Sequence, residues 1–424
     1  MHHMPFSLLI KPAGADCNLH CGYCFYLSRA GLYPDTPRPR MSLATLERLY
    51  RAYFAIPMPV YSFGWQGGEP TLMGRDFFAE ALAMQRRMAP RGATVTNGLQ
   101  TNGTLLTPAW AQLLREHKVL VGLSIDGPPQ LHNGLRRVAD GGGQALAGRA
   151  GDTAERVAAA VQLLRGEKVA CNALTVVGPH NVHAAHEIYA YLRGLGLRHM
   201  QFIPLVEEGY SVNAQDWGRF LIAIFRRWFP RDVRRVSIRH HDSLLEYLVS
   251  GRYNVCTMSG ACGGHLVIEH NGDIYPCDFY VDADLRLGNV HTGSGKHGGN
   301  AGPAGTGDNP LVAALEEPRN RTFMARPAGP APEYRDCRYR ELCNGDCPRL
   351  WRSETGGASA APRSALCEGW TAFFDDAIGD LVRLSRSAAE LQYGPGSQPR
   401  IPVDRFAPRA GAAGNSRPAG GRRV

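Results

Sequence analysis

The cysteines are the residues of this chain whose type and spacing most clearly indicate chemistry. Ten of the eleven fall into three groups, at positions 17, 21 and 24, at 256, 262 and 277, and at 337, 343, 347 and 367. In a reducing compartment, cysteines that recur at such short intervals favour metal binding over disulfides. The sequence therefore predicts several metal centres and leaves Cys171, in a predicted strand, as a core thiol.

The first group has the spacing Cys17-x3-Cys21-x2-Cys24. Three thiolates can hold three irons of a cubane and leave the fourth iron open. Because iron–sulfur clusters normally take four cysteines, a set of three indicates an iron that binds another ligand. The alternative is a zinc site that includes His20, but structural zinc usually takes four ligands with two-residue gaps.

Residues 17–26, Cys-Asn-Leu-His-Cys-Gly-Tyr-Cys-Phe-Tyr, resemble the signature of the radical SAM superfamily. The resemblance implies a [4Fe–4S] cluster whose open iron binds S-adenosylmethionine and whose electron yields a 5′-deoxyadenosyl radical. It also implies cofactor contacts, with Tyr23 beside the adenine, Gly68 near the methionine amino group, Ser124 and Arg136 at the ribose or carboxylate, and Val206 at the adenine wall. Each of these residues alone also fits an ordinary role in packing or in a loop.

The elements that must position these residues alternate between strand and helix over the first two hundred residues. Strands are predicted at residues 6–11, 60–65, 93–100, 119–125, 169–177 and 200–205, with helices between them. Six such units predict an α/β fold, a partial (β/α)6 barrel with a parallel sheet. The candidate cofactor contacts follow the carboxyl ends of strands, where sites of such folds gather.

The later cysteines resemble a SPASM domain, which holds two auxiliary [4Fe–4S] clusters. The resemblance implies that auxiliary cluster I takes Cys256, Cys262, Cys277 and Cys347, and that auxiliary cluster II takes Cys337, Cys343 and Cys367. Tyr334 stands where the family usually has the remaining cysteine. Cluster II therefore has an oxygen ligand from Tyr334 or Asp336, an open iron, or an incomplete structure, giving two to three clusters in all. Zinc ribbons would need paired CxxC motifs, which the sequence lacks.

Within this superfamily the chain resembles the anaerobic sulfatase-maturating enzymes. The resemblance rests on the segments 11–13, 275–281 and 287–290, Lys-Pro-Ala, Tyr-Pro-Cys-Asp-Phe-Tyr-Val and Leu-Gly-Asn-Val. It implies oxidation of a cysteine or serine in a sulfatase to Cα-formylglycine, with Asp278 as the base and auxiliary cluster I as the electron acceptor. An external donor such as flavodoxin or ferredoxin would supply electrons. The alternatives are a radical SAM–SPASM enzyme that modifies or crosslinks a ribosomal peptide, and an iron–sulfur electron carrier.

The predicted domains follow from these patterns. The barrel covers residues 5–212, a helical connector 213–254, and the SPASM domain 255–375 with a glycine-rich insertion at 292–307. A second glycine-rich loop covers residues 139–151. Residues 395–424 are predicted to be a disordered basic tail, with six arginines and one acidic residue after position 399.

The composition excludes several classes of protein. Forty-four per cent hydrophobic and 20% charged residues are ordinary for a globular protein, and no apolar run reaches the roughly 18 residues that span a bilayer. The N-terminus lacks the pattern of a secretory signal, so we expect a cytoplasmic protein. The net charge of +9 lies largely in the tail, and without a nucleic-acid motif we expect no such partner.

Overall fold

The computed structural model describes residues 5–139, 152–294, 309–325, 336–352 and 363–406. Tyr334, most of both glycine-rich stretches and residues 407–424 of the predicted tail lie outside these ranges. Within the described ranges, no helix combines the length and the apolar character needed to cross a membrane.

The strands are short and are spread over most of the described chain. In chain order they are β1 (Ser7–Lys11), β2 (Leu19–Cys21), β3 (Val60–Trp65), β4 (Thr94–Thr101), β5 (Leu120–Ser124), β6 (Arg136–Val138), β7 (Cys171–Val177), β8 (His199–Pro204), β9 (Val206–Glu207), β10 (Tyr210–Ser211), β11 (Ser237–Ile238), β12 (His265–Glu269), β13 (Asp273–Tyr275), β14 (Gly288–Asn289), β15 (Gly293–Ser294), β16 (Trp351–Arg352) and β17 (Arg363–Ser364).

The helices alternate with the strands in the first half of the chain. In chain order they are α1 (Leu43–Phe54), α2 (Arg75–Met88), α3 (Pro108–Glu116), α4 (Pro129–Leu135), α5 (Thr153–Gly166), α6 (Ala185–Gly194), α7 (Ala214–Trp228), α8 (Arg239–Ser250), α9 (Pro310–Glu316), α10 (Pro318–Met324), α11 (Arg340–Cys343) and α12 (Cys367–Tyr393).

Six of the strands form the parallel sheet that the sequence predicts. They lie in the order β8-β7-β5-β4-β3-β1, and every neighbouring pair is parallel. Each begins and ends within two residues of its predicted bounds. The predicted α/β fold with a partial (β/α)6 barrel is confirmed, and the carboxyl ends of all six strands meet at one edge of the sheet.

Helix α1 illustrates why these segments fold as they do. The side chain of Ser42 accepts a hydrogen bond from the backbone N–H of Thr45, which satisfies one of the free donors at the helix start. Leu46, Leu49 and Tyr53 recur at helical spacing and are buried against the sheet. The polar positions between them face solvent.

The C-terminal half of the chain extends the barrel sheet. Strand β12 lies parallel to β1, with Ser7 opposite His265 and Lys11 opposite Glu269. Strands β13, β14 and β15 then add antiparallel neighbours. Strands β12 and β13 form a hairpin, and the sequence did not predict its pairing with β1. This pairing places Cys277 and Asp278, which follow β13, beside the carboxyl end of β1.

Helices α7, α8 and α12 form a second packed layer. Two glycines allow α7 and α12 to cross closely, because a Cβ at Gly369 would lie 3.0 Å from the backbone nitrogen of Gly218. Trp370 and Phe373 of α12 are buried against the same layer. The 27-residue helix α12 holds Cys367 at its first residue.

The first part of the predicted disordered tail has a defined position. The backbone N–H of Arg400 donates to the carbonyl of Val249 at 3.0 Å, and Val403 and Phe406 are buried. Arg405 forms an ion pair with Glu341. For residues 395–406 the prediction of disorder is therefore corrected, because the backbone of this segment bonds to α8 and residues 403–406 pack against α12.

Candidate active site

The first cysteine group lies in the loop that leaves the carboxyl end of β1. Strand β2 pairs with β6, which sets Cys21 opposite Arg136. The backbone N–H of Leu19 donates to the Cys17 sulfur at 3.3 Å. Burial raises the pKa of Cys17 well above its usual value, and negative charge on Glu69, Cys21 and Cys24 raises it further. A metal that takes up the charge of such buried thiols would favour their thiolate forms, so the donor set fits a metal centre.

Within the described parts of the chain, no group of three His, Cys, Asp or Glu side chains is positioned to bind a single metal ion. A tetrahedral zinc site brings all its ligands onto one atom, whereas a cubane binds each thiolate to a different iron.

Two glycines after β3 pack directly on the backbone of the cysteine loop. Gly67 has φ +128°, and a Cβ there would lie 2.7 Å from the carbonyl oxygen of Gly14. A Cβ at Gly68 would overlap the carbonyl of Asp16. The backbone N–H groups of Gly68 and Glu69 donate to the carbonyls of Gly14 and Asp16, both at 2.8 Å. The glycines thus allow β3 to fix the loop that holds the cysteines.

Replacing Gly68 with alanine should displace the cysteine loop. The overlap with backbone atoms cannot be relieved by a side-chain rotation, so we expect a loss of stability of about 1–3 kcal/mol and weaker binding of S-adenosylmethionine. Urea unfolding and calorimetric binding would measure both effects. A matched control is Gly166→Ala at the end of α5, where no atom lies within 4 Å of the new Cβ. Wild-type stability and binding in Gly68→Ala would contradict this role.

Glu69 organises the strand ends around the loop, which sequence reasoning did not identify. Its fully buried carboxylate accepts hydrogen bonds from Thr71 N at 3.0 Å, Thr101 Oγ1 at 2.8 Å and Asn102 N at 2.8 Å. Asn102 in turn donates to Asn18 beside Cys17 at 2.8 Å. Burial raises the pKa of Glu69, and these hydrogen bonds to its charged form oppose the rise. The carboxylate therefore joins the ends of β3 and β4 to the cysteine loop.

Tyr23 and Arg136 meet at Asp126, another residue that the sequence analysis did not identify. Arg136 Nε donates to Asp126 Oδ2 at 2.8 Å, and the Tyr23 hydroxyl donates to the same oxygen. Burial alone would raise the pKa of Asp126, but the Arg136 guanidinium outweighs burial and holds it below its usual value. The His180 ring stacks on Tyr23 with centroids 5.9 Å apart. The position of Asp126 at the end of β5, before Gly127, was the available sequence signal.

A cavity of about 550 Å³ extends from the first cysteine group to the later ones, a size typical of small-molecule sites. The predicted site residues that line it are Tyr23, Cys24, Ser124, Arg136, Val206, Cys256, Cys262, Cys277, Asp278 and Cys347. A smaller adjoining space of about 130 Å³ is lined by Cys17, Cys21, Cys24, Gly68, Ser124 and Arg136. The hydroxyl of Ser124 accepts a hydrogen bond from Gln100 Nε2 at 3.0 Å.

Asp278 faces the larger cavity and is held by two side chains from the barrel. Lys11, at the end of β1 and fully buried, forms an ion pair with one carboxylate oxygen. Gln66 Nε2 donates to the other at 2.5 Å. Lys11 lies in a segment that carries the family resemblance, but the contacts of Lys11 and Gln66 with Asp278 follow only from the pairing of β12 with β1. The two contacts hold both carboxylate oxygens of Asp278 at the edge of the cavity.

The later cysteines form two separate groups. Burial raises the pKa of Cys347 to about 12, and the Cys256 and Cys262 thiols contribute to the rise. Burial raises the pKa of Cys277, and negative charge on Asp278, Cys347 and Cys256 raises it further. The structure thus brings together the four cysteines predicted for auxiliary cluster I.

The other group contains the three cysteines predicted for auxiliary cluster II. Burial raises the pKa of Cys343 to about 12, with further contributions from Asp346, Cys367 and Cys337. Asp346 lies between the two groups, and its buried carboxylate accepts hydrogen bonds from the backbone N–H of Cys347 at 2.8 Å and from Trp370 Nε1 at 3.0 Å. That each group holds a cluster stays a prediction.

The chain is similar to several known proteins. Residues 12–192 match the Radical SAM superfamily. The chain is 34% identical over 393 residues to the cysteine-type anaerobic sulfatase-maturating enzyme of Clostridium perfringens strain ATCC 13124, covering 90% of this chain and 99% of that protein. It is 35% identical over 405 residues to the serine-type enzyme of Klebsiella aerogenes, covering 92% and 89% respectively.

The chain also superposes on solved structures of similar proteins. The structure described as native anSMEcpe with bound AdoMet and Cp18Cys peptide superposes with a TM-score of 0.77 at 32% identity, covering 91% of this chain and 100% of that one. Streptococcus suis SuiB bound to S-adenosylmethionine gives a TM-score of 0.54 at 16% identity, with 81% and 71% covered, which shows a shared fold only.

Proposed function

Because this chain belongs to the radical SAM superfamily, and within it to the anaerobic sulfatase-maturating enzymes, we propose that it oxidises a cysteine or serine of a sulfatase to Cα-formylglycine. The predicted family and enzyme class are confirmed. Asp278 has a largely buried carboxylate that faces the same cavity as the first cysteine group. This position is the observation that most directly supports the reaction. The relatives favour this function over the crosslinking of a ribosomal peptide.

The cofactors are [4Fe–4S] clusters and S-adenosylmethionine. When bound, the cluster on Cys17, Cys21 and Cys24 and its S-adenosylmethionine supply the 5′-deoxyadenosyl radical that removes a hydrogen atom from the substrate Cβ. We propose that Tyr23, Gly68, Ser124, Arg136 and Val206 contact S-adenosylmethionine. Arg136 and Tyr23 are held in place by Asp126, so both reach the cavity with little freedom to move.

Asp278 would act as the base of the reaction. Its carboxylate accepts the thiol or hydroxyl proton of the substrate while Lys11 and Gln66 fix its orientation. Removal of this proton, one hydrogen atom and one electron turns serine into the aldehyde. Cysteine becomes a thioaldehyde that water converts to the aldehyde with loss of hydrogen sulfide. Cys256, Cys262, Cys277 and Cys347 would hold the auxiliary cluster that takes up the electron.

The second auxiliary group contains only three cysteines, because the chain has no other within reach. Cys171 lies in β7 among the core residues, and the other seven belong to the groups already described. We propose that Cys337, Cys343 and Cys367 hold a cluster whose fourth iron is open or has an oxygen ligand, with Tyr334 and Asp336 as the candidates.

Reconstituted protein should therefore contain about twelve irons per chain, four for each of three clusters. Iron and sulfide analysis measures this number. A Cys367→Ala variant should lose about four irons and keep its S-adenosylmethionine cleavage, because the first cluster is unaffected. A value of about eight irons in the wild-type protein would contradict the proposal.

An external carrier such as flavodoxin or ferredoxin would supply the electrons. We also propose that the enzyme is cytoplasmic, because the thiols that would hold its clusters persist in reducing compartments.

The proposed function can be tested anaerobically with reconstituted protein, S-adenosylmethionine, dithionite and a peptide that carries a C-x-P-x-R or an S-x-P-x-R motif. We expect a mass change that matches aldehyde formation and a product that reacts with a hydrazine probe. The two peptides also distinguish a cysteine from a serine target. A modified peptide that carries a new internal bond and no aldehyde would support the crosslinking reaction instead.

A further inference from the structure

Two polar side chains in the wall of the large cavity have no partner among the described residues. Nε2 of His265 is buried and forms no hydrogen bond with any of them. The amide of Gln201, which is half-buried, likewise has no bond to the described parts of the chain. Both residues line the cavity that also contains Asp278. Buried polar groups nearly always have a partner, so unpaired ones in a cavity wall indicate that a ligand supplies it.

Several other polar side chains of this wall are already paired. The pairs are Gln66 with Asp278, Gln100 with Ser124, Arg136 with Asp126, and Arg349 with Glu207. Much of the remaining wall is apolar, as at Leu9, Leu174 and Ile203. A polypeptide that enters such a cavity loses water from its backbone N–H and C=O groups, and each of them then needs a new partner. Gln201 and His265 have the free capacity to provide one.

The two residues stand at opposite ends of a run of parallel strands. Gln201 lies on β8 and His265 begins β12, with five strands between them. In a flat sheet, six strand spacings would separate them by about 29 Å. In the partial barrel the ends of the sheet curve toward each other, and both residues line one cavity. A peptide that lies in the gap between the two ends can therefore contact both.

The contacts expected for S-adenosylmethionine lie in another part of the site. The smaller adjoining space is lined by Gly68, Ser124 and Arg136, whereas Gln201 and His265 line the larger cavity. Asp278 lies close enough to His265 to influence the pKa of its ring, which burial lowers. His265 is thus near the residue at which we expect the target side chain to bind.

We propose that Gln201 and His265 bind the backbone of the substrate peptide. This inference rests on the proposed function, in which the substrate is a polypeptide. The Gln201 amide has both donors and an acceptor, so it can bond to the C=O and the N–H of the peptide, and the His265 ring can form one further bond. Backbone groups are the same in every sequence, so these contacts position cysteine- and serine-containing peptides alike.

Gln201→Leu and His265→Phe remove the polar groups and keep side chains of similar size. Each should raise KM for the C-x-P-x-R peptide about 3- to 10-fold with little change in kcat, because one hydrogen bond of uniform binding is lost. Iron content and binding of S-adenosylmethionine should not change. Stability in urea should be kept or increased, since an unpaired polar group is replaced by an apolar one. Gln162→Leu is a matched control, because Gln162 is exposed on α5.

Peptides with a single backbone ester test the contact from the substrate side. An ester keeps the side chains and the length of the peptide, but it lacks the N–H and its C=O is a weaker acceptor. With the wild-type enzyme, an ester at a bound position should raise KM about 3- to 10-fold. With the variant that lacks the contacting side chain, the same ester should cause no further increase, because the bond is already lost.

The outcomes separate this inference from the proposed function, which formylglycine formation by the wild-type enzyme tests alone. Wild-type KM in both variants, or ester effects that are the same with and without the two side chains, would overturn the inference and leave the function intact. Weaker binding of S-adenosylmethionine would assign the residues to the cofactor. A shifted reduction potential of the auxiliary cluster with an unchanged KM would assign His265 to that cluster. Either result, or a loss of stability, would also overturn the inference.

Discussion

Replacing Cys17, Cys21 and Cys24 together with alanine should abolish the cleavage of S-adenosylmethionine and remove about four irons per chain. Cys21 and Cys24 lie close enough to Cys17 for their negative charge to raise the pKa of its thiol. Anaerobic reconstitution, iron analysis and chromatography of 5′-deoxyadenosine measure the two effects, and formylglycine should be undetectable.

Cys171→Ala provides the matched control for this variant. Cys171 lies at the start of β7, packs against the core and is remote from the three cysteine groups. Its replacement should leave the iron content and the cleavage rate unchanged. Cleavage of S-adenosylmethionine by the triple variant would refute the assignment of the first cluster.

The barrel and its site could largely be predicted because their signals are local. A strand such as Val60–Trp65 is bounded by its own apolar pattern, and the glycines at 67 and 68 follow directly in sequence. In a parallel sheet the carboxyl ends of the strands lie at one edge. Segments that are 40 or more residues apart in sequence are therefore expected to lie close together in space. The resemblance to the radical SAM signature named Tyr23, Ser124 and Arg136, and all three line one cavity.

The contacts between the two halves of the chain could not be predicted in the same way. Lys11 and Glu269 are separated by more than 250 residues and meet only because β12 pairs with β1 in one register. A shift of that register by one residue would turn Glu269 to the opposite face, so composition and spacing cannot reveal this contact.

Two further differences between the prediction and the structure have local causes that are visible in the sequence. Trp370, Phe373 and Ala377 recur at helical spacing, yet the predicted SPASM domain ends at residue 375, inside α12. In the tail, Val403 and Phe406 are the apolar residues that pack, but the surrounding arginines and prolines indicated disorder.

Asp278→Asn should lower formylglycine formation by about 10²- to 10⁴-fold while S-adenosylmethionine is still cleaved. An amide has the size of the carboxylate and can still contact Gln66 and Lys11, but it cannot accept the substrate proton. Without proton removal, the substrate radical has no low-energy route to the thioaldehyde or aldehyde. Parallel assays of 5′-deoxyadenosine and of aldehyde in one reaction measure the separation of the two steps.

Asp282→Asn controls for the loss of a carboxylate in the same segment. Asp282 lies four residues further on, pairs with Arg29 and is about half exposed, so its replacement should leave formylglycine formation near the wild-type rate. Full activity of Asp278→Asn would remove Asp278 from the mechanism. If Asp278→Asn instead lost iron, its contact with Cys277 would be structural, since a base is required only after the radical has formed. Retained iron and continued cleavage with little aldehyde is therefore the one combination that identifies Asp278 as the base.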